Sequence, residues 1–230
     1  AHRAIETALG APTILVNAAG GNDPRVTVTP EHPFESISAE DWRANFDLNL
    51  VGGALLPCQE FGPAMCRRGK GSIINIASVT GLKAMPQIGV YCMSKAAVIH
   101  MTRAMAQEWG RYGINVNAIC PGYIATPMFL PIVEGNPEAR AGFERRIPLG
   151  RLGNPLELLG ARQPQVDVVR NGGFEIVFWV LKPGEHRHVD ASFTKRESLF
   201  VVCHAEVVDA GRLESLSNLD HAVAIAVGLD

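Results

Sequence analysis

Apolar positions along the chain alternate between two spacings. Thr13-Ile14-Leu15-Val16 is a short unbroken apolar run that opens into Asn17-Ala18-Ala19-Gly20. A run of that length ending in small residues predicts a strand buried on both faces and then a loop. From Ser38 to Met65 the spacing becomes helical, with Ser38 placed to cap and Trp42, Phe46, Leu48 and Leu50 available for an inner face. Ser72-Ile73-Ile74-Asn75-Ile76 predicts a second buried strand. Tyr91 to Trp109 predicts a long helix with Val98, Met101, Met105 and Trp109 as its apolar positions. Gly113 stops that helix, and Ile114-Asn115-Val116-Asn117-Ala118-Ile119 predicts a third strand ending at Pro121-Gly122.

Strands separated by helices of this length imply right-handed crossovers and a parallel sheet covered on both faces, the doubly wound α/β class. The character changes after about Ala161. Phe174 to Leu181, Leu199 to Cys203 and Ala222 to Val227 all read as strands, and the polar stretch around Lys182-Pro183-Gly184 joins the first two without a helical pattern. Antiparallel pairing of those two is therefore expected. The division is residues 1–161 as an α/β domain and 162–230 as a β-rich tail, with the boundary near Gln163-Pro164.

Composition narrows the function. A chain of 230 residues fits one domain with a small appendage. Its net charge of −2 and pI near 6.4 argue against a nucleic-acid partner or an acidic membrane surface. No apolar run approaches the roughly 20 residues that span a bilayer, and no apolar signal core follows the N-terminal Ala1-His2-Arg3. An initiator Met is lacking, so the chain is expected to begin inside a longer protein. The five cysteines are scattered with no CxxC pair, which reads as reduced thiols packed as small apolar residues in the cytoplasm.

The candidate chemistry lies in the first turns of the long helix. Tyr91 and Lys95 are four apart, so both project from one face. A tyrosine with its ordinary pKa near 10 is a poor acid or base at neutral pH, and an ammonium one turn away is expected to lower it. Ser78 follows a buried strand, and the carboxyl end of such a strand faces the site of an open α/β sheet. Its hydroxyl could hold a carbonyl or alcohol oxygen while Tyr91 moves the proton. Asn49 is a polar residue in mid-helix, an ordinarily unfavourable place. Pro121-Gly122 forms a turn that brings backbone close to a ligand.

Asn17-Ala18-Ala19-Gly20, Asn49, Ser78, Tyr91-x-x-x-Lys95, Pro121-Gly122 with Thr126, and Arg151-Leu152-Gly153-Asn154-Pro155 occur in one order and spacing. In these motifs the chain resembles the short-chain dehydrogenases/reductases over about two-thirds of its length. The resemblance implies a Rossmann-like sheet and reversible hydride transfer between NAD or NADP and a carbonyl or secondary alcohol. It implies Tyr91 as general acid/base, Ser78 as stabiliser of the reacting oxygen, and Asn49 as holder of a water in the proton relay. Lys95 would lower the Tyr91 pKa and bond the nicotinamide ribose. Asn17, Ala18 and Gly20 would line the cofactor cleft, and Pro121, Gly122 and Thr126 would border the nicotinamide. A homo-oligomer, dimer or tetramer, would form through the Asn49–Met65 and Tyr91–Trp109 helices.

The pattern also departs from that family. Its opening strand, TGxxxGxG loop and second βα unit have no counterpart here, so the sheet is expected to be incomplete; the chain opens in what looks like the third helix, Ile5 to Leu9. That loop holds the pyrophosphate through backbone amides and a helix N-terminus. After Leu159-Gly160-Ala161 the sequence leaves the family pattern as well. His186, His188 and His204 are read as loop histidines with no metal assigned, since no carboxylate follows at ligand spacing. Between Met128 and Pro148, in the substrate lid, Arg140, Arg145 and Arg146 could meet an anion, though a solvated helix face carries such charges equally. The stretch from Val16 to Pro30 looks like sugar-acid reductases of the family. Three readings follow: an active oxidoreductase, a non-catalytic remnant that pairs with a complete relative, or a catalytic fragment fused to an unrelated tail.

Overall fold

The computed structural model describes residues 2–155 and 157–158, apart from the side chain of Leu9, and beyond them only the backbone of five short strands. Helix α1 (His2–Leu9) leads to strand β1 (Ile14–Asn17). A helical segment from Ala39 to Arg68 connects β1 to β2 (Gly71–Ile76), and helix α4 (Gly89–Gly110) connects β2 to β3 (Ile114–Cys120). Strand β2 pairs in parallel with both neighbours, with Leu15 opposite Ile73 and Ile73 opposite Val116. These three side chains are fully buried and form one core with Phe61 and Met65. Because both connections are helical and all three strands run the same way, their carboxyl ends open onto one edge.

The Ala39–Arg68 segment differs from the single amphipathic helix that the spacing predicts. Helix α2 (Ala39–Phe46) begins as expected, with Ser38 Oγ accepting from the Asp41 N–H. The next stretch, Asp47–Leu55, is wound as a π-helix, and Leu56 N–H bonds Val51 O five residues back before α3 (Leu56–Arg68) resumes the ordinary winding. Across the widened stretch Asn49, Gly53 and Ala54 are buried, following Asn45 in α2, and Leu48 is 40% exposed rather than inward. The reason is polar: the inner face meets a backbone loop that needs hydrogen bonds. Gly53 admits the close approach, since a Cβ there would lie 2.9 Å from Ala19 O.

Long helix α4 matches its predicted span within two residues at the start and one at the end. Its far end packs on α3 through Gly62, where a Cβ would be 2.4 Å from the Trp109 ring. Gly113 then turns the chain with φ +74°, as its sequence position predicts.

Beyond residue 158, β4 (Glu175–Val177) pairs antiparallel with β3, and β7 (Phe200–His204) pairs in parallel with β1 and with β8 (Val223–Val227). The two-residue strands β5 (Leu181–Lys182) and β6 (Glu185–His186) pair with each other. The expected pairing of the 174–181 and 199–203 segments is thus replaced: three strands separate them in the order β4-β3-β2-β1-β7-β8. The open ladder edges of β1 and β3 offer backbone partners that such segments can satisfy. The boundary at Gln163-Pro164 and His188 lie outside the described residues.

Candidate active site

Each parallel strand delivers one turn to the open edge. Beyond β2 and β3 the two chains stay joined: Ala77 N–H donates to Ile119 O at 2.8 Å and Val79 N–H to Pro121 O at 3.0 Å. These bonds set Ser78 beside Pro121-Gly122. Ser78 is extended (φ −167°, ψ 153°) and caps a short 3-10 turn, Val79–Gly81. Its Oγ accepts from Thr80 N–H at 3.2 Å and from Thr80 Oγ1 at 2.9 Å. Gly81 lets this turn lie directly on α4, for a Cβ there would be 2.7 Å from the Lys95 carbonyl carbon.

Helix α4 then presents Tyr91 and Lys95. Tyr91 sits against Ser78, and Ser94 Oγ donates to the Tyr91 carbonyl at 2.8 Å. Lys95 is 4% exposed; its Nζ donates to Ile76 O at 2.9 Å and lies 5.8 Å from the centre of the Tyr91 ring. Burial pushes the Tyr91 phenol above its usual pKa, while the hydrogen bond with Ser78 pulls the other way. Burial also lowers Lys95 to about 8, opposed by nearby Cys120. The largest influence on Tyr91 in this state of the protein is its burial. The same desolvation disfavours the charged form of Lys95.

The loop after β1 closes the other side. Gly20 has φ +142°, and a Cβ there would lie 2.5 Å from Asn49 Oδ1 and 3.1 Å from Lys95 Nζ. Only glycine fits both the backbone and the space. Asn49 accepts from Gly21 N–H at 3.0 Å and donates to Gly21 O at 2.8 Å and Asn45 O at 3.0 Å. Asn17 is buried one layer deeper. Its Nδ2 donates to Asn75 Oδ1 at 2.8 Å and contacts Cys58 Sγ at 3.1 Å, while its Oδ1 has no hydrogen-bond partner.

The structure thus brings Gly20, Asn49, Ser78, Tyr91 and Lys95 together, with Pro121 tied alongside through its carbonyl. Ala18 is half-buried in the loop between Asn17 and Gly20. Thr126 starts the lid, accepting at its carbonyl from Phe129 and Leu130 N–H. Gly153 closes the lid base by bonding Tyr123 O and Ala125 N–H, and Tyr123, Phe129 and Phe143 pack ring to ring inside it. Arg140 is paired with Glu144 at 2.9 Å, so the lid cations free of a described ion pair include Arg145 and Arg146, both exposed. The motif reading misses Thr80 and Asn45. The Ser-x-Thr-Gly spacing and the i, i+4 pair of asparagines were the signals that could have found them.

A family model described as Enoyl-(Acyl carrier protein) reductase matches residues 1–161. Gluconate 5-dehydrogenase of Gluconobacter oxydans (strain 621H) is 37% identical over 158 residues. The chain belongs to the short-chain dehydrogenase/reductase family. That aligned region covers 69% of this chain and 58% of the relative, so the chain spans less than two thirds of the length of such a family member.

Two solved family structures share the fold. An oxidoreductase from Haemophilus influenza with bound NAD superposes with a TM-score of 0.63 at 34% identity, covering 70% of this chain and 62% of that one. Gluconate 5-dehydrogenase from Burkholderia cenocepacia J2315, in complex with NADP and tartrate, gives 0.62 at 35% identity over 70% and 60%.

Residues of this family member fit the nicotinamide end of such a cofactor on two grounds internal to the structure. Gly20, having no side chain, lets the loop backbone run directly against Asn49 Oδ1 and Lys95 Nζ, so that a ligand at Lys95 also meets this loop. The Lys95 ammonium has three donors, of which Ile76 O takes one. Among the described residues no helix is long and apolar enough to cross a membrane.

Proposed function

We propose that this chain carries the catalytic residues of an NAD(P)-dependent dehydrogenase for a carbonyl or secondary-alcohol substrate. The observation that carries the reading is the convergence of Ser78, Tyr91 and Lys95 beside the Gly20 turn at the carboxyl edge of the parallel sheet. When bound, the nicotinamide supplies or accepts the hydride. In the reducing direction, the Tyr91 phenol, kept protonated by burial, gives its proton to the carbonyl oxygen. Ser78 donates a hydrogen bond to that oxygen as its negative charge grows. In the oxidising direction the same groups run in reverse. Lys95, with a pKa of about 8, exchanges protons near neutrality and directs its remaining donors at the ribose hydroxyls. Gly20 and Ala18 form one wall of the cleft, backed from beneath by the buried Asn17, and Pro121, Gly122 and Thr126 form the other. The side chain of Asn49 is committed to Gly21 and Asn45, so it shapes the cleft and carries no proton itself.

The substrate class that fits best is a sugar acid or a related polyol. Support comes from the gluconate dehydrogenases among the similar proteins and from the exposed Arg145 and Arg146 on the lid, which suit a carboxylate. The compartment in this reading is the cytoplasm. The assembly is a homo-oligomer, supported by Leu48, Leu56 and Met93, which stand exposed on the helices that would meet.

The test is a fluorescence titration with NADH and NADPH, followed by gluconate oxidation in the presence of NAD or NADP, with Tyr91→Phe alongside. Binding at micromolar concentration with turnover lost in Tyr91→Phe supports the reading. Absence of binding up to roughly millimolar concentration, the upper end of the usual KM range, would sink it.

A further inference from the structure

We infer that Thr80 is a positioning residue that makes Ser78 a one-way hydrogen-bond donor toward Tyr91 and the reacting oxygen. A serine hydroxyl has one proton to give and two lone pairs to receive with. Both lone pairs of Ser78 Oγ are occupied from the same side, by Thr80 N–H at 3.2 Å and Thr80 Oγ1 at 2.9 Å. The backbone holds this arrangement firmly. Val79 N–H is bonded to Pro121 O, Gly81 N–H to Ser78 O, and Gly81 is pressed on the backbone of α4. Both hydroxyls are buried, Ser78 at 7% and Thr80 at 8% exposure, so water does not compete.

With its acceptor sites filled, Ser78 can only donate across the site. It cannot take the proton that Tyr91 is meant to hand to substrate, and it cannot serve as a branch in the proton path. Removing the Thr80 hydroxyl opens one lone pair. Ser78 Oγ can then accept from the Tyr91 phenol, which turns the bond between them around. A bond donated to the phenolate favours ionisation, and a bond accepted from the phenol opposes it. The loss of one side-chain hydroxyl two residues from Ser78 therefore moves the titration of Tyr91 upward and misdirects its proton.

The inference rests on the dehydrogenase reading only for the importance of Ser78 and Tyr91, and its test needs neither cofactor nor turnover. Tyrosinate absorbance is titrated in this chain, with Tyr91→Phe subtracted to isolate Tyr91 from Tyr112 and Tyr123. Thr80→Val is expected to shift the Tyr91 midpoint to higher pH, and Thr80→Ser to restore it. In a Ser78→Ala background, Thr80→Val is expected to add nothing. If Thr80→Val does not fold by circular dichroism, Thr80→Ala removes the same hydroxyl with less bulk. An unchanged midpoint in the hydroxyl-free variant overturns the inference, as does an equal shift when Ser78 is absent. Where hydride transfer is measurable, kcat should fall about 5-fold with KM unchanged, the loss of one neutral hydrogen bond made in the transition state. Failure to bind NADH would instead count against the proposed function and leave the titration result standing.

Discussion

The side-chain amide of Asn49 pairs with both backbone polar groups of Gly21, accepting from its N–H at 3.0 Å and donating to its carbonyl at 2.8 Å. An amide side chain therefore does for this loop what a neighbouring strand does elsewhere. It fixes the Gly20-Gly21 turn against the π-helical segment and leaves Gly20 beside Lys95. Replacing it with Leu would strand two backbone groups in a buried site, at a cost of about 3 kcal/mol. Asn49→Leu should lower the urea midpoint accordingly and weaken NADH binding. A variant with unchanged midpoint would show that water replaces the amide and that the turn holds without it.

The three strands, the long helix α4 and the spacing that sets Ser78, Tyr91 and Lys95 near one another were legible because each rests on local pattern. Apolar runs such as Ile73-Ile74 fix buried strands, and four-residue spacing fixes one helix face. The π-helical turn was not legible. It depends on the hydrogen bonds of Asn49 to Gly21 and on the close approach of Gly53 to Ala19, pairs far apart in sequence that meet only after folding. The same is true of the Tyr91 ionisation. Sequence placed an ammonium nearby, but the burial that dominates is a property of the assembled core. Nor could pattern assign strands such as β4 and β7 to partners, because the open ladder edges of β3 and β1 accept many segments alike.

Lys95 should make stability depend on pH in a defined window. Its folded pKa of about 8 lies below its ordinary 10.5, so the unfolded chain binds more protons between those values. Stability contributed by this group therefore rises as pH climbs from 8 toward 10.5, and the penalty is fully present below 8. Tyr91, whose folded pKa is raised, contributes in the opposite sense only above its usual value near 10. Lys95→Met removes the penalty and should stabilise the fold at pH 7 by on the order of 3 kcal/mol. Urea denaturation at pH 7 and pH 9.5 would show the gap between variant and parent narrowing at the higher pH. A constant gap would mean that Lys95 is not charged at the cost its burial implies.

A buried chain of hydrogen bonds ties β1 to α4 behind the site. Thr102 Oγ1 donates to Val98 O at 2.8 Å, Asn75 Nδ2 donates to Thr102 Oγ1 at 2.9 Å, and Asn17 Nδ2 donates to Asn75 Oδ1 at 2.8 Å. Because the threonine gives its one proton to a fixed carbonyl, it must accept from Asn75, and this sets the orientation of both amides in turn. Thr102→Val leaves the Asn75 amide without its acceptor and should cost about 1–3 kcal/mol, whereas Thr102→Ser keeps the bond and should cost less. Chemical denaturation of the two variants checks this. Equal losses would show that the methyl group and its packing, not the hydroxyl, carry the effect.

Gln87 is the one non-glycine residue with positive φ among those described, at +70°. It stands four positions before Tyr91, in the loop that feeds the first turn of α4, and its carbonyl accepts from Val28 N–H at 2.8 Å. A left-handed conformation costs an ordinary L-residue about 1–2 kcal/mol, and glycine escapes most of it while losing some unfolded-state rigidity. Gln87→Gly should therefore raise stability by about 0.5–1 kcal/mol, and Gln87→Val, with a branched Cβ, should lower it by about 1 kcal/mol or more. The readout is the thermal midpoint of each variant at one pH. If the glycine variant melts lower than the parent, the glutamine side chain makes a contact that outweighs the strain, and that side chain, exposed just before α4, becomes the next residue to test against substrate.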